Sequence, residues 1–384
     1  MAGVLAVPAL VRGDRVLTPD RELVDGWVVV EQDRIVEVGG GAAPAGLAGG
    51  PRHAVLAPGF VDVHNHGGGG AAFGDGPEAA IVARDAHLRK GTTTVVASLV
   101  TESIEVLTEQ VRALRPLVEA GELGGIHLEG PWLSERWCGA HPPALLVDPA
   151  TADVEALAAA AGDALVMVTL APERDGALEA TRLLVSCGVR VAVGHTDATF
   201  DQTRAAVEAG ASVATHLYNG ERPLHHREPG PTLALLTDER VWVETIADGV
   251  HQHPAVVRDT ARRAGGRWVL VSDAMAAALA DDGRYLLGRL DVQVLDGVAR
   301  LVGEDGGPGS IAGSTLSMDR AVRTAVAAGV PLLQAVHAAT AAPAAAMGWS
   351  DVGRLEAGRV ADLVGLDDEL HVQGVMRAGG WVAG

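Results

Sequence analysis

The chain has 384 residues, room for one barrel-sized domain and a smaller satellite, and its 48% hydrophobic content excludes a disordered chain. A formal charge of −19 excludes a general nucleic-acid surface, which depends on clustered Lys and Arg, so an anionic substrate needs a local basic pocket. Two cysteines, Cys138 and Cys187, are too few for a secreted disulfide framework; no run of about 18 apolar residues reads as membrane-spanning, and Met1 to Arg12 has no basic n-region or cleavage pattern, so a soluble cytoplasmic protein is expected.

Residues 1–57 hold short β-like runs, among them Trp27 to Glu31 and Arg34 to Val38, broken by Gly and Pro. From residue 58 the texture changes to apolar strand-like runs alternating with Ala/Leu/Arg stretches. The predicted strands are 60–64, 94–99, 125–129, 165–170, 190–195, 212–216, 241–247 and 268–273, and the predicted helices between and after them are 77–90, 104–120, 151–161, 176–188, 200–209, 231–238, 254–264 and 318–329. Eight such units fit an α/β chain folded as a (β/α)₈ TIM-type barrel over 58–349, although an open doubly wound sheet uses the same local pattern. Residues 281–310 read as a β-hairpin excursion from the last barrel loop. Residues 350–384 return to turns and short strands, so both chain ends are expected to form one small β-sandwich satellite, 1–57 with 350–384.

His64 and His66 close the first predicted strand, and period-two alternation points both imidazoles the same way. A lone His-x-His pair is common by chance among 14 histidines. The pattern gains weight because Glu129, His195, His216 and Asp273 each fall at the C-terminal end of a different predicted strand, and on a barrel those ends converge on the face where active sites are built. Any one of them alone is better explained by a structural hydrogen bond. The donor types suit Zn²⁺ or Fe²⁺ rather than Mg²⁺ or Ca²⁺. The only lysine is Lys90, ahead of the second strand, so bridging between two metals falls to a carboxylate, and Glu129 is placed for it. His127 alternates onto the inward side with Glu129, where supporting a carboxylate and plain packing are evenly balanced readings. Gly67 to Gly70 lacks the Lys-Ser/Thr of a phosphate-binding loop and suits close passage of backbone beside the metal pocket. Cys138 has the bland reading of a small buried hydrophobe.

Several motifs together carry a resemblance: Pro58-Gly-Phe-Val-Asp-Val-His64, His127-Leu-Glu-Gly-Pro-Trp132, Cys138-Gly-Ala-His-Pro142, Gly194-His-Thr-Asp-Ala198, Thr215-His-Leu-Tyr-Asn219, His225-His-Arg-Glu-Pro-Gly230, Ala247-Asp-Gly-Val-His251, Val271-Ser-Asp-Ala-Met275 and Ala312-Gly-Ser-Thr315. With these the chain resembles, over nearly its whole length, the N-acetylglucosamine-6-phosphate deacetylase family of the amidohydrolase superfamily. The resemblance implies that Glu129, His195 and His216 hold the principal divalent metal, with Asp273 both a ligand at the metal site and the catalytic acid/base, and His141 helping to stabilise the oxyanion. Family members that keep a His-x-His pair carry a second metal, and with His64 and His66 present two metals per chain are expected, Glu129 being shared. The implied substrate contacts are Ala140, His141, Asn219, Gly220, Arg227, His251, Ile311, Ala312 and Gly313, with Arg227 as the planar fork for phosphate. Phosphate ligands contributed by a neighbouring subunit make a homodimer the expected assembly, with a small-molecule substrate and neither nucleic acid nor membrane as partner.

The expected reaction is removal of the N-acetyl group from N-acetylglucosamine 6-phosphate by metal-activated water, leaving acetate and glucosamine 6-phosphate. Where many family members read Asn-Ala-Met-Pro, this chain reads Asn219-Gly-Glu-Arg222-Pro223, which opens the galactosamine epimer as an alternative. An exposed Glu221/Arg222 loop pair is the plainer reading of that change, a phosphate contact from Arg222 the sharper one. A different class, a non-catalytic scaffold on the same barrel, is opposed by the intact Glu129, His195, His216 and Asp273.

Overall fold

The computed structural model describes residues 9–47, 49–303 and 306–382; the reading of the chain's first residues as leaderless falls largely on 1–8, outside them. Eight parallel strands run in sequence order around the domain: Phe60–Asn65, Thr92–Leu99, Gly125–Glu129, Leu165–Leu170, Arg190–Val193, Val213–Ala214, Trp242–Ile246 and Trp268–Val271. Several are buried at every residue, as in Phe60–Asn65, Gly125–Glu129 and Trp268–Val271, because helices cover the outer face while side chains fill the inner one. The helices start where the sequence supplies caps. Ser103 accepts from the Val106 N–H ahead of Ile104–Glu119, and Thr199 with Gln202 forms a capping box ahead of Phe200–Ala209.

The barrel is nearly closed. No ladder joins the first and eighth strands, but the Asp273 N–H donates to the His64 carbonyl at 2.8 Å, and the fully buried Asp62 carboxylate accepts from the Ser272 N–H at 3.1 Å and hydroxyl at 2.6 Å. Burial pushes the Asp62 carboxyl up. Below this seam sit Leu332–Ala338 and Ala341–Met347, two helices the sequence reading did not anticipate, and the Val61 N–H donates to the Ala339 carbonyl. Each is only seven residues long, too short for a helical period to stand out, and Ala341–Met347 is mostly alanine besides.

The chain ends meet in one continuous seven-stranded sheet, in the order Gly380–Trp381, Val372–Arg377, Leu363–Leu366, Arg52–Pro58, Ala9–Leu17, Glu22–Glu31, Arg34–Gly40. Leu363 pairs with Pro58, so the strand that feeds the barrel is flanked by the strand that follows it, and Val16, Val28, Ile35, Leu56, Leu363 and Met376 build a separate small core. The expected hairpin at 281–310 is a fuller structure, four antiparallel strands Arg284–Leu287, Leu290–Leu295, Val298–Val302 and Pro308–Ile311. Asp296-Gly297, with φ of 51° and 71°, is a two-residue hairpin turn whose Asp-Gly signal was present in the sequence. Among the described residues, no helix is long and apolar enough to cross a membrane.

Candidate active site

Three barrel strands stop earlier than expected. The predicted strands 190–195, 212–216 and 268–273 end at Val193, Ala214 and Val271, and two residues beyond each end stands a residue in left-handed backbone: His195 at φ 46°, His216 at 27° and Asp273 at 47°. For a non-glycine residue that conformation costs about 1–2 kcal/mol. It turns each side chain out of the ladder direction and toward the barrel axis. Strand propensity could not reveal this, because it reports the pleat and not its interruption.

The turned side chains surround Glu129. Its Oε1 lies 3.1 Å from both His195 Nε2 and His216 Nε2 and 3.5 Å from His64 Nε2; its Oε2 lies 3.1 Å from His66 Nε2 and 3.4 Å from His141 Nε2. Asp273 Oδ1 stands 3.3 Å from His66 Nε2 and 3.5 Å from His64 Nε2. Two overlapping groups are tight enough for metal binding, His64 with His66, Glu129 and Asp273, and Glu129 with His141 and His195. The residues fit a divalent cation. Nε2 atoms face each other at 3.2 Å in the pairs His64/His66 and His195/His216, a contact that repels when both carry lone pairs and that a shared cation relieves. Four of the five far ring nitrogens are tied outward, His66 Nδ1 to the Ser98 carbonyl at 3.1 Å, His195 Nδ1 to the Trp137 carbonyl at 2.9 Å, His141 Nδ1 to Thr101 Oγ1 at 2.9 Å and His64 Nδ1 to Glu244 Oε2 at 3.2 Å, while His216 Nδ1 is buried without a hydrogen-bond partner.

The electrostatics follow the packing. Burial would raise the Glu129 carboxyl, but the charge of His64 and hydrogen bonds from His141, His195 and His216 outweigh it and hold it well below the usual carboxylate range. Asp273 is likewise pushed up by burial and pulled further down by His64 and His66. Burial takes His141 down to about 4, so its ring is neutral at pH 7.

A cavity of about 330 Å³ opens onto the cluster. Of the expected substrate contacts, Ala140, His141, Asn219, Gly220, His251, Ile311 and Gly313 line it. Ala312 does not: it is fully buried behind the wall, packed with Met275 and Val292. Arg227 does not either; it is exposed and borders a different cavity with Thr199 and Arg222. Among the described residues no Lys or Arg lines the cluster cavity, and its basic group away from the cluster is His251, which burial pulls down but which Asp248, 2.7 Å from Nδ1, raises on balance. Gly220, at φ 58°, cannot carry a side chain here, since a Cβ would fall 2.7 Å from His195 Nδ1.

Other sequence readings need correction. Glu221 and Arg222 are not an exposed pair: Glu221 is 3% exposed and accepts from the Tyr218 N–H and the Thr232 hydroxyl, while Arg222 Nε turns to Asp197 Oδ1 at 3.0 Å. His127 supports no carboxylate, because its ring nitrogens go to Ser98 Oγ and Thr169 Oγ1. Glu244 was missed altogether. The signal existed, since an acidic residue inside the apolar run Val241 to Ile246 cannot be buried without a partner.

A model of the amidohydrolase family matches residues 55–382. An N-acetylgalactosamine-6-phosphate deacetylase from Escherichia coli O157:H7 is 39% identical, over 98% of this chain and 98% of its own length. An N-acetylglucosamine-6-phosphate deacetylase from Vibrio furnissii is 35% identical, over 83% of this chain and 80% of its own. A mutant N-acetyl-D-glucosamine-6-phosphate deacetylase from Mycobacterium smegmatis, solved in complex with N-acetyl-D-glucosamine-6-phosphate, superposes with a TM-score of 0.94 at 48% identity, covering 99% of this chain and 100% of that one. The matched span takes in all eight barrel strands and every residue of the cluster, and the chain belongs to the amidohydrolase family.

Proposed function

We propose that this amidohydrolase removes the N-acetyl group of N-acetylglucosamine 6-phosphate, releasing acetate and glucosamine 6-phosphate. The observation that carries the reading is a buried carboxylate, Asp273, lining a substrate-sized cavity within 3.5 Å of two imidazoles that share Glu129 with three more. The bound ligand of the 48% identical mycobacterial neighbour supports the substrate class. The galactosamine epimer is the second reading, favoured by the 39% identical Escherichia coli relative.

In this reading Glu129, His195 and His216 hold one divalent cation, Zn²⁺ or Fe²⁺, and His64 and His66 with the shared Glu129 hold a second. When bound, such cations lower the pKa of water and polarise a carbonyl. Asp273 takes the proton from water as the water oxygen bonds to the acetamide carbon. The carbonyl oxygen gains negative charge beside His141 Nε2. Asp273 then hands the proton to the sugar nitrogen as the C–N bond breaks, and the acetic acid so formed gives its remaining proton to the released amine, so acetate and the protonated amine leave. His251, its charge supported by Asp248, faces the substrate's anionic end. A cytoplasmic homodimer belongs to the same reading: Arg227 lies away from its own chain's cavity, and the partner subunit's Arg227 would bring the guanidinium that cavity lacks.

Asp273→Asn tests the assignment. Asparagine tolerates the left-handed backbone and keeps the size of the side chain but cannot carry the proton. The expected outcome is an unchanged fold and turnover lowered on the order of 10²–10⁴-fold; near-normal turnover would remove Asp273 from the acid/base role.

A further inference from the structure

Glu244 takes no part in the scheme above, yet it is fully buried in the barrel interior, in the middle of the strand Trp242–Ile246. One carboxylate oxygen, Oε2, makes both of its contacts: 3.2 Å to His64 Nδ1 from the first strand and 3.2 Å to the backbone N–H of His216, two residues beyond the end of the sixth. The other oxygen, Oε1, is buried with no hydrogen-bond partner in the structure. An apolar isostere would avoid the cost of burying a charge, so a carboxylate kept at this fully buried position points to a task in charge or orientation.

Both tasks converge on His64. An imidazole whose Nδ1–H is held by a carboxylate presents an unprotonated Nε2, and that Nε2 faces His66 Nε2 and Glu129. No other histidine of the cluster has a carboxylate on its far nitrogen: His66 and His195 are held by carbonyls, His141 by a threonine hydroxyl, and His216 Nδ1 is buried without a hydrogen-bond partner. Charge gives the same answer. Glu129 and Asp273 together match one divalent cation, and Glu244 supplies the further negative charge that a second cation calls for.

We propose that Glu244 is a positioning residue for the second cation site, fixing the orientation of His64 and supplying negative charge to the His64/His66 side of the cluster. The proposal rests on the two-cation reading. The test is metal binding, read independently of turnover: Zn²⁺ bound per chain, measured by elemental analysis across a chelator-buffered Zn²⁺ series, for wild type, Glu244→Gln and Glu244→Asp. Wild type is expected to bind two ions. Glu244→Gln is expected to bind the first with unchanged affinity and the second with affinity lowered about 10–100-fold; Glu244→Asp, which keeps the charge but withdraws it from His64, is expected to fall between them. Two ions at wild-type affinity in Glu244→Gln would overturn the proposal while leaving the two-cation reading intact. A single ion in wild type would overturn that reading and the proposal with it. Equal weakening of both ions in both variants would reduce Glu244 to a structural role and overturn the proposal as well.

Discussion

A buried side chain that cannot be neutral and satisfied at once leaves a mark on pH dependence, and Glu221 is such a residue. Burial raises its carboxyl to about 7, against hydrogen bonds from Thr232 and the Tyr218 N–H that pull it down. A raised acid binds its proton more tightly folded than unfolded, so its contribution to stability is complete below the unfolded pKa near 4.5 and is lost as pH rises through about 7. Thermal unfolding at pH 5.5 and pH 8 is expected to show about 2 kcal/mol of stability lost from this group in wild type. Glu221→Gln, which keeps the acceptor and drops the charge, is expected to be the more stable protein at pH 8 with a flatter profile; an unchanged profile would contradict the assignment. At this scale the sequence was uneven. His64, His66, Glu129, His195, His216 and Asp273 were legible because each ends a strand-like run in a recognisable motif, and all six meet in one cluster. Glu221 was not, because a single acidic residue in a loop announces nothing about burial until its neighbours in space are known, whereas Glu244 did carry a signal as an acid set inside an apolar run.

At the scale of elements, the cavity wall depends on three loops that Asp197 ties together. Its Oδ1 accepts from Trp137 Nε1 at 2.8 Å and from Arg222 Nε at 3.0 Å, linking the loop that carries His141, the loop that carries Asn219 and Gly220, and its own loop after His195. The Trp137 carbonyl that orients His195 lies on the same tie. Arg222, first among the causes, together with the Trp137 indole, draws the Asp197 carboxyl down to about 2, so the tie is charged at any working pH. Asp197 is partly solvent-exposed, which moderates the effect. Asp197→Ala is expected to raise KM roughly three- to tenfold with a smaller change in kcat, and Asp197→Asn, which keeps an acceptor for Trp137, to recover part of the loss. Steady-state kinetics decide it: an unaltered KM in the alanine variant would show that the loops hold without the tie. The helices and most barrel strands were legible from their periodicity, to within a few residues. The early ends of the strands before His195, His216 and Asp273 were not, since the left-handed turns there answer to the site and not to local propensity. Nor were the helices Leu332–Ala338 and Ala341–Met347, whose seven residues each are too few to show a helical period.

For the whole molecule, the arrangement explains why one chain needs both of its ends. The satellite sheet binds the strand entering the barrel to the strand leaving the last helices, and Asp62 with Ser272 and the Asp273 N–H holds the first strand against the eighth. His64 and Asp273 belong to opposite sides of that seam, so closure of the barrel and assembly of the cluster are one event. Loaded with a divalent cation, this cluster is proposed to deacetylate a phosphorylated amino sugar. The most direct test is acetate release from the N-acetyl 6-phosphates of glucosamine, galactosamine and mannosamine, using the protein as isolated, stripped of metal, and reloaded with Zn²⁺ or Fe²⁺. Release with a preference for the glucosamine epimer, loss on stripping and recovery on reloading are expected; undiminished acetate release by the stripped protein, or none from any of the three sugars after reloading, would overturn the assignment.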